Sequence, residues 1–548
     1  MRQPGLRADL VAGVTTWGIV VPQALAYAQI AGLPPQAGLL AAPWALAVYA
    51  MLGSSSSLIV AATSSTAALS AVAVAPLVHA DAERFAALSA TLALVTGAVF
   101  ALAGALRVGG IADLISKPVL TGFLFGLGLT IAIGQLPKLL GVESARGTFA
   151  SQLLELLERL GATDGPTLAV GAISLAALLA LRHWLPAVPG GLVVLAGALA
   201  LSAALGLAHD GVAVVGHVPA VLPRLAVPNV HLSDLPRLLP GACGVALVGY
   251  TEAITVARST ASARGESIDA NRELLALGAA NGAAGFGQGF VQSGGASQTA
   301  AAVRAGARTQ RTSLVAGALV VVTGALLAPV FKDLPQATLG AIVVVAVSGF
   351  LRVDELVRFA RIRRSAVVLS LVALVGVLLV GVLPGLVIAV ALSLVLVVRR
   401  LSRPSVSALV RNPINGEFRT RARHSDWEPV PGVLVTRVDG ALFYANATVV
   451  KERLLALVDD EQPRTLVLSL GESPELDLES VDMLDDLRGA LDRAAVELLI
   501  VDVHDRAEAI LDRAGVLRRI HVERDPTTAL TVCETPASPT LPQPAASG

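Results

Sequence analysis

Two segments of the chain gather small hydroxyl residues and glycine within otherwise apolar surroundings: Ser54 to Thr66 (SSSSLIVAATSST) and Gly285 to Thr299 (GFGQGFVQSGGASQT). Each leads into a short apolar piece that reads as a helix interrupted at its start. A helix N-terminus carries about half a unit of positive charge and free N–H groups, so two such ends facing one another make an anion site without a buried Lys or Arg. The candidate lining is Thr63, Ser64, Ser65 and Thr66 on one side and Gly295, Ala296, Ser297, Gln298 and Thr299 on the other. The competing reading is that these residues only let helices pack closely.

Glu252 stands well inside an apolar stretch (PGACGVALVGYTEAITVAR), where an ionised group is costly unless paired or hydrated. It reads as a proton carrier or as a cation ligand, Na+ included; a structural hydrogen bond is the alternative. Asn281, on the next apolar stretch, is a possible polar partner or interhelical glue. Pro22 and Gln23 interrupt the first stretch and Tyr27 follows one turn later, so freed backbone carbonyls there could face a cavity or mark a packing kink. The eight histidines share no metal-ligand spacing with one another or with Cys243 and Cys533. No nucleophile–base arrangement, phosphate loop or paired catalytic carboxylates stand out, so the sequence does not read as an enzyme.

The elements that must position these residues are membrane helices. Of 548 residues, 54% are hydrophobic and 15% charged, with 41 Lys+Arg against 41 Asp+Glu, which excludes a basic nucleic-acid binder. Apolar stretches able to cross about 30 Å of hydrocarbon recur to residue 400. They fall at 10–30, 36–52, 63–79, 85–106, 112–134, 165–181, 189–207, 239–258, 273–290, 296–303, 312–330, 338–350, 365–382 and 384–400. With both termini placed in the cytoplasm, inside ends collect Arg2, Arg7, Arg107, Arg182, Arg258, Arg264, Arg304, Arg352, Arg361 and Arg399, among others, which supports an even number of spans. The start, with Arg2 and Arg7 ahead of a long apolar run, reads as a first span and not as a cleavable signal. The two interrupted segments lie about 230 residues apart, at corresponding positions of two halves with an odd number of spans each. That makes the halves inverted repeats, and such paired short helices point to a midplane binding site.

After residue 400 the texture changes. Residues 401–548 hold 16 Lys+Arg and 24 Asp+Glu, so the neutral total hides +8 on the apolar part and −8 on the tail. Residues 401–429 read as a polar linker and 430–534 as a compact α/β domain. Its strands fall near 432–438, 465–470 and 497–503, with helices at 446–458, 481–494 and 507–514. Residues 535–548, rich in Pro, Ala and Ser, read as a disordered tail.

Several stretches resemble one family. PQALAYAQIAGLPPQAGLLAA (Pro22 to Ala42), VGYTEAITVARSTASARGESIDANRELLALGAAN (Val248 to Asn281) and GASQTAAAVRAGARTQ (Gly295 to Gln310) look like signature stretches of the SulP sulfate-permease family of anion transporters. GVLVTRVDGALFYANA (Gly432 to Ala447) looks like the start of its cytoplasmic STAS domain. The resemblance implies an α-helical polytopic membrane protein of about 14 transmembrane segments in two inverted repeats, roughly 1–207 and 239–400, divided into core and gate domains. It implies an anion held between the short third and tenth helices, and coupling through a carboxylate on the eighth, here Glu252. It also implies a homodimer and carriage of sulfate, bicarbonate, chloride or small dicarboxylates.

Three positions depart from the family pattern. Ala61-Ala62 stand where Gly-Pro is frequent, Gln298 where many members have Arg, and Gln23 where some proton-coupled members have Glu. In the tail, Leu478 occupies the place of the Ser or Thr acceptor that related anti-sigma-factor antagonists carry after an Asp.

The expectation is a secondary active transporter of small anions in the inner cell membrane, driven by H+ or Na+ symport through Glu252. Gln23, Tyr27 and the two helix ends would contact substrate, with Glu252 and Asn281 at the ion-coupling position. Partners would be the lipid bilayer, a second copy, and a cytosolic protein or nucleotide for the STAS-like domain; no nucleic acid is expected. Rival readings are an uncoupled channel or exchanger using the same site, a nucleobase carrier, and a sensor that signals through its tail.

Overall fold

The structure is a computed structural model that describes residues 5–534 apart from 79–80, 115, 144–146, 186–187, 221 and 425–426. The expected tail at 535–548 lies outside the described residues. Two compact units divide the chain, 1–393 and 394–548.

The first unit is helical. In chain order its elements are α1 (Leu6–Ile30), α2 (Gln36–Leu52), β1 (Val60–Ala61), α3 (Ser64–Val74), α4 (Ala82–Ala105), α5 (Lys117–Leu140), α6 (Phe149–Arg159), α7 (Gly165–Trp184) and α8 (Gly190–Leu205). There follow α9 (Leu235–Ser262), α10 (Ala270–Phe286), β2 (Ser293–Gly294), α11 (Ala296–Arg304), α12 (Arg311–Val322), α13 (Gln336–Val347), α14 (Val353–Ile362), α15 (Arg364–Val380) and α16 (Val382–Leu401). A helix lies at each place where the sequence predicts a span. Among the described residues, eight helical stretches are long and apolar enough to cross a membrane, and α2, α3, α8 and α15 are shorter apolar helices. The sequence reading missed α6 and α14: FASQLLELLER and VDELVRFARI are amphipathic turns of helix whose charges mask their apolar stripe.

Many Ala, Gly, Ser and Thr share the buried positions of this unit with Leu, Val, Phe and Tyr, and other large apolar side chains, Leu102, Leu179, Leu201, Leu379 and Val387 among them, point outward. In lipid, helices gain by close backbone approach through small residues, and large apolar side chains face the tails. Glycines set the closest crossings. A Cβ at Gly122 of α5 would lie 1.9 Å from the Ser370 carbonyl of α15, and one at Gly38 of α2 would lie 2.0 Å from the Ala24 carbonyl of α1.

The second unit is a six-stranded sheet with helices on both faces. Its elements are β3 (Ser405–Arg411), β4 (Phe418–Thr420), β5 (Val433–Asp439), α17 (Ala447–Glu461), β6 (Thr465–Ser469), α18 (Leu478–Arg493), β7 (Glu497–Val501), α19 (Asp505–Arg513), β8 (His521–Glu523) and α20 (Pro526–Glu534). The strand order is β4-β3-β5-β6-β7-β8. Strand β3 runs antiparallel to β4 and β5, and β5 through β8 are parallel. Alternation along the strands sends Leu434, Leu466, Leu468 and Ile500 toward α17 and α18, and Val435, Val467 and Leu499 toward Ala529 of α20. The stretch 401–429, expected as a linker, instead supplies β3 and β4, with Ser405 paired opposite Asp439. Its short apolar runs sit between arginines, so they carry little strand signal until β5 provides a partner.

Candidate functional site

The site is built where two arms of extended chain cross. Arm one runs from Gly53 to Ala62 and ends in β1; arm two runs from Gly287 to Gly294 and ends in β2. The two strands pair antiparallel, Val60 opposite Gly294 and Ala61 opposite Ser293. Helices α3 and α11 start immediately after them, so the pairing itself brings their N-termini together. Further stitches hold the crossing. The Gly295 N–H donates to the Ile59 carbonyl at 2.9 Å, the Ile59 N–H to Thr299 Oγ1 at 3.0 Å, and Gln298 Nε2 to the Ala62 carbonyl at 3.1 Å. Local sequence explains the close fit. A Cβ at Gly294 would lie 2.8 Å from Ala253 Cα on α9, and one at Gly295 would strike the Gln298 side chain at 1.4 Å.

Thr63 caps α3 by accepting from the Thr66 N–H. Gly295, without a side chain, leaves the start of α11 uncapped. Among the described residues, the N–H groups of Ser64 and Ser65 on α3, and of Ala296, Ser297 and Gln298 on α11, have no hydrogen-bond acceptor. Ala296 and Ser297 are exposed, and Gln23 and Glu252 are partly so, which places the α11 donors beside an accessible space, while Ser64 and Ser65 on α3 are buried.

Three side chains converge there from α1 and α9. Gln23 Nε2 donates to Ser297 Oγ at 3.3 Å, while its Oε1 is buried without a partner. Tyr27, one turn on, is buried and interacts with Ser64. Ser65 Oγ donates to Glu252 Oε2 at 2.6 Å, and Thr63 Oγ1 lies 3.0 Å from Ser65 Oγ. The structure thus brings together Gln23, Tyr27, Thr63, Ser64, Ser65, Glu252, Gly295, Ala296 and Ser297.

Four of the expected residues do other work. Thr66 is turned to Thr63 and the Val291 carbonyl, and Gln298 and Thr299 face the first arm as described. Asn281, expected beside Glu252, instead donates to the carbonyls of Leu277 and Gln292 and accepts from the Gln292 N–H at 2.8 Å. Its amide is spent on the second arm, so the expected partnership with Glu252 is not what the structure contains. Glu252 is joined by buried carboxylates, Asp9 and Glu273 among them. Both stand in the first turns of helices, where a charge reads as a flanking residue; the ANRELLALGAAN stretch around Glu273 was the available signal. No group of three or more His, Cys, Asp or Glu among the described residues could hold a metal ion.

Interrupted apolar helices, crossed arms and a separate α/β unit together have the architecture of a membrane transport protein, a class to which the comparisons with known proteins also point. Residues 6–373 match the sulfate permease family and residues 425–529 match the STAS domain. A probable sulfate transporter of Mycobacterium tuberculosis (strain ATCC 25618 / H37Rv) is 38% identical over 518 residues, covering 93% of this chain and 92% of the relative. Sulfate transporter 1.1 of Arabidopsis thaliana is 26% identical over 526 residues, 90% of this chain and 80% of that protein. The fold is that of the murine Solute Carrier 26 family member A9 anion transporter in its inward-facing state, with a TM-score of 0.89, 22% identity and coverage of 97% of this chain and 92% of that one. The transmembrane domain of a cyanobacterium bicarbonate transporter, BicA, aligns with 72% of this chain and 98% of its own, with a TM-score of 0.61 and 22% identity. The chain belongs to the sulfate permease family and carries a STAS domain. It is a multi-pass membrane protein of a transporter family, not an enzyme.

Proposed function

We propose that the protein is a secondary active transporter of small anions of the sulfate, bicarbonate or dicarboxylate class. The anion sits between the N-termini of α3 and α11 and moves with H+ or Na+ carried at Glu252. The observation that supports this reading is the crossing of β1 and β2, which brings together the N-termini of two helices whose first N–H groups have no acceptor among the described residues. An anion needs such donors, and two helix ends supply them without a fixed cation. Gln23 adds to the same space, because rotating its amide exchanges a buried orphan acceptor for a donor. Glu252 is one hydrogen bond from Ser65, next to that space, so its charge state and the anion's occupancy act on each other electrostatically. The similarity to two sulfate transporters, one of them a probable one, favours sulfate within the class.

In this reading about fourteen segments form two inverted repeats, and an elevator-like or rocking motion carries the site across the membrane. The chain lies in the cytoplasmic membrane with both termini inside and works as a homodimer, and its STAS domain takes a cytosolic protein or a nucleotide. The test is reconstitution into liposomes with labelled sulfate, bicarbonate and fumarate under imposed H+ or Na+ gradients. Accumulation of one of these against its own gradient is the expected result, and no accumulation under any gradient sinks coupled symport. Flux that merely equilibrates points to the channel reading instead.

A further inference from the structure

Glu273 is fully buried in the first turn of α10, and among the described residues its carboxylate bonds only to the foot of the first arm and to the helix leading into it. Its Oε1 accepts from the Ser54 N–H at 2.7 Å, from Ser54 Oγ at 2.7 Å and from the Ser55 N–H at 3.1 Å. Its Oε2 accepts from the Tyr49 hydroxyl at 2.7 Å. Extended chain inside a membrane protein has backbone groups that must find partners within the protein, and here a carboxylate supplies them.

Two turns further along the same helix, about 12 Å away, Asn281 does the same for the second arm. It accepts from the Gln292 N–H and donates to the Gln292 carbonyl, one residue before β2. Helix α10 is itself seated against α4. A Cβ at Gly278 would lie 2.9 Å from the Gly97 carbonyl, and one at Gly285 would lie 2.7 Å from the Ala90 carbonyl. One helix therefore grips both arms, and it grips them through side chains that reach neither Ser64 nor Ser297.

We infer that Glu273 and Asn281 are positioning residues: α10 fixes the two arms relative to each other and so sets the register in which the α3 and α11 N-termini face the anion. The inference rests on the anion-site reading above. Release of either grip leaves the helix ends intact but lets β1 slide against β2.

A disulfide across the two strands measures that register without any substrate. Ala61→Cys and Ser293→Cys are Cα partners in the β1–β2 pair, and the full-length chain would carry them with Cys243 and Cys533 replaced by Ser. Opposed residues of an antiparallel pair lie about 4.5–5.5 Å apart, within disulfide range. With copper phenanthroline the reference chain cross-links rapidly; its failure to do so overturns the inference. Loss of the grip in Glu273→Ala or Asn281→Ala slows cross-linking about fivefold or more, whereas Tyr49→Phe, which removes one bond of four, slows it about twofold or less. An unchanged rate in both alanine variants overturns the inference. If those variants do not reach the membrane, Asn281→Asp, which cannot donate to Gln292, and Glu273→Gln carry the test in the same direction. In reconstituted vesicles the slowed variants raise the KM for sulfate more than they lower Vmax per folded protein; a fall in Vmax at constant KM marks a merely structural role and counts against the inference. A reference chain that cross-links while the wild-type chain carries no anion would defeat the transport reading and leave the cross-linking result intact.

Discussion

Replacing Glu252 by Gln separates movement of the anion from its coupling. One carboxylate stands beside the site, bonded to Ser65 at 2.6 Å, so it supports one coupling ion per cycle. A gradient of one pH unit is worth about 1.4 kcal/mol per proton, which is about a tenfold accumulation of co-transported anion when the membrane potential is held near zero. A tenfold Na+ gradient gives the same factor. Gln has the same shape, and its carbonyl still accepts from Ser65. The Ser65 bond weakens by about 1 kcal/mol on passing from a charged to a neutral acceptor, removal of the carboxylate's repulsion of the anion acts in the opposite direction, and KM moves about fivefold or less. The assay is uptake of labelled sulfate into proteoliposomes, followed to the plateau. The wild type is expected to reach about ten times the outside concentration per decade of coupling-ion gradient, and the Gln variant to stop near equality while still exchanging preloaded sulfate. A Gln variant that accumulates as the wild type does refutes the assignment of coupling to Glu252.

Other perturbations reach other parts of the structure. Ser297→Asp puts a carboxylate at the open end of α11; at about 4 Å and an effective dielectric near 20 the repulsion is about 4 kcal/mol, so sulfate binding weakens at least about tenfold in a competition assay, and unchanged binding would place the anion elsewhere. Gly122→Ala forces a methyl group onto the Ser370 carbonyl and costs about 1–3 kcal/mol, read as a lower thermal unfolding midpoint of the purified protein in detergent. Asp477 caps α18, and although burial opposes it, bonds from Ser480 and the Tyr444 N–H hold its carboxyl below the usual carboxylate range. Because its folded pKa is depressed, its stabilisation is present above pH about 4 and is lost as the pH falls through the folded value. Asp477→Ala therefore lowers the stability of the soluble unit by about 1 kcal/mol at neutral pH and by progressively less in acid, measured by denaturant unfolding.

The apolar helices were legible because hydrocarbon thickness fixes their length, and β5, β6 and β7 because their runs of Val, Leu and Ile are bounded by turns. What stayed hidden depends on partners distant in sequence. β3 and β4 became strands only against β5, and the two-residue strands β1 and β2 have no signal apart from each other. The same holds within the site. Small hydroxyl residues mark the two helix starts, yet nothing local distinguishes Ser64, which meets Tyr27, and the exposed Ser297 from Thr66, Gln298 and Thr299, which sew the arms together. Asn281 was visible as a polar residue in an apolar span, but its partner Gln292 could be known only once the second arm was seen to fold back along α10. Glu273 and Asp9 are illegible for the opposite reason, since a carboxylate in a first helical turn ordinarily faces solvent.

The account turns on where the anion sits. Selenate, a sulfate analogue with its own anomalous signal, locates it directly in crystals of the full-length protein. The account predicts a selenium peak between the Ser64 and Ser297 ends of α3 and α11, within hydrogen-bond reach of their N–H groups and beside Gln23. A peak at saturating selenate that lies away from both helix ends, or none at all, would contradict it.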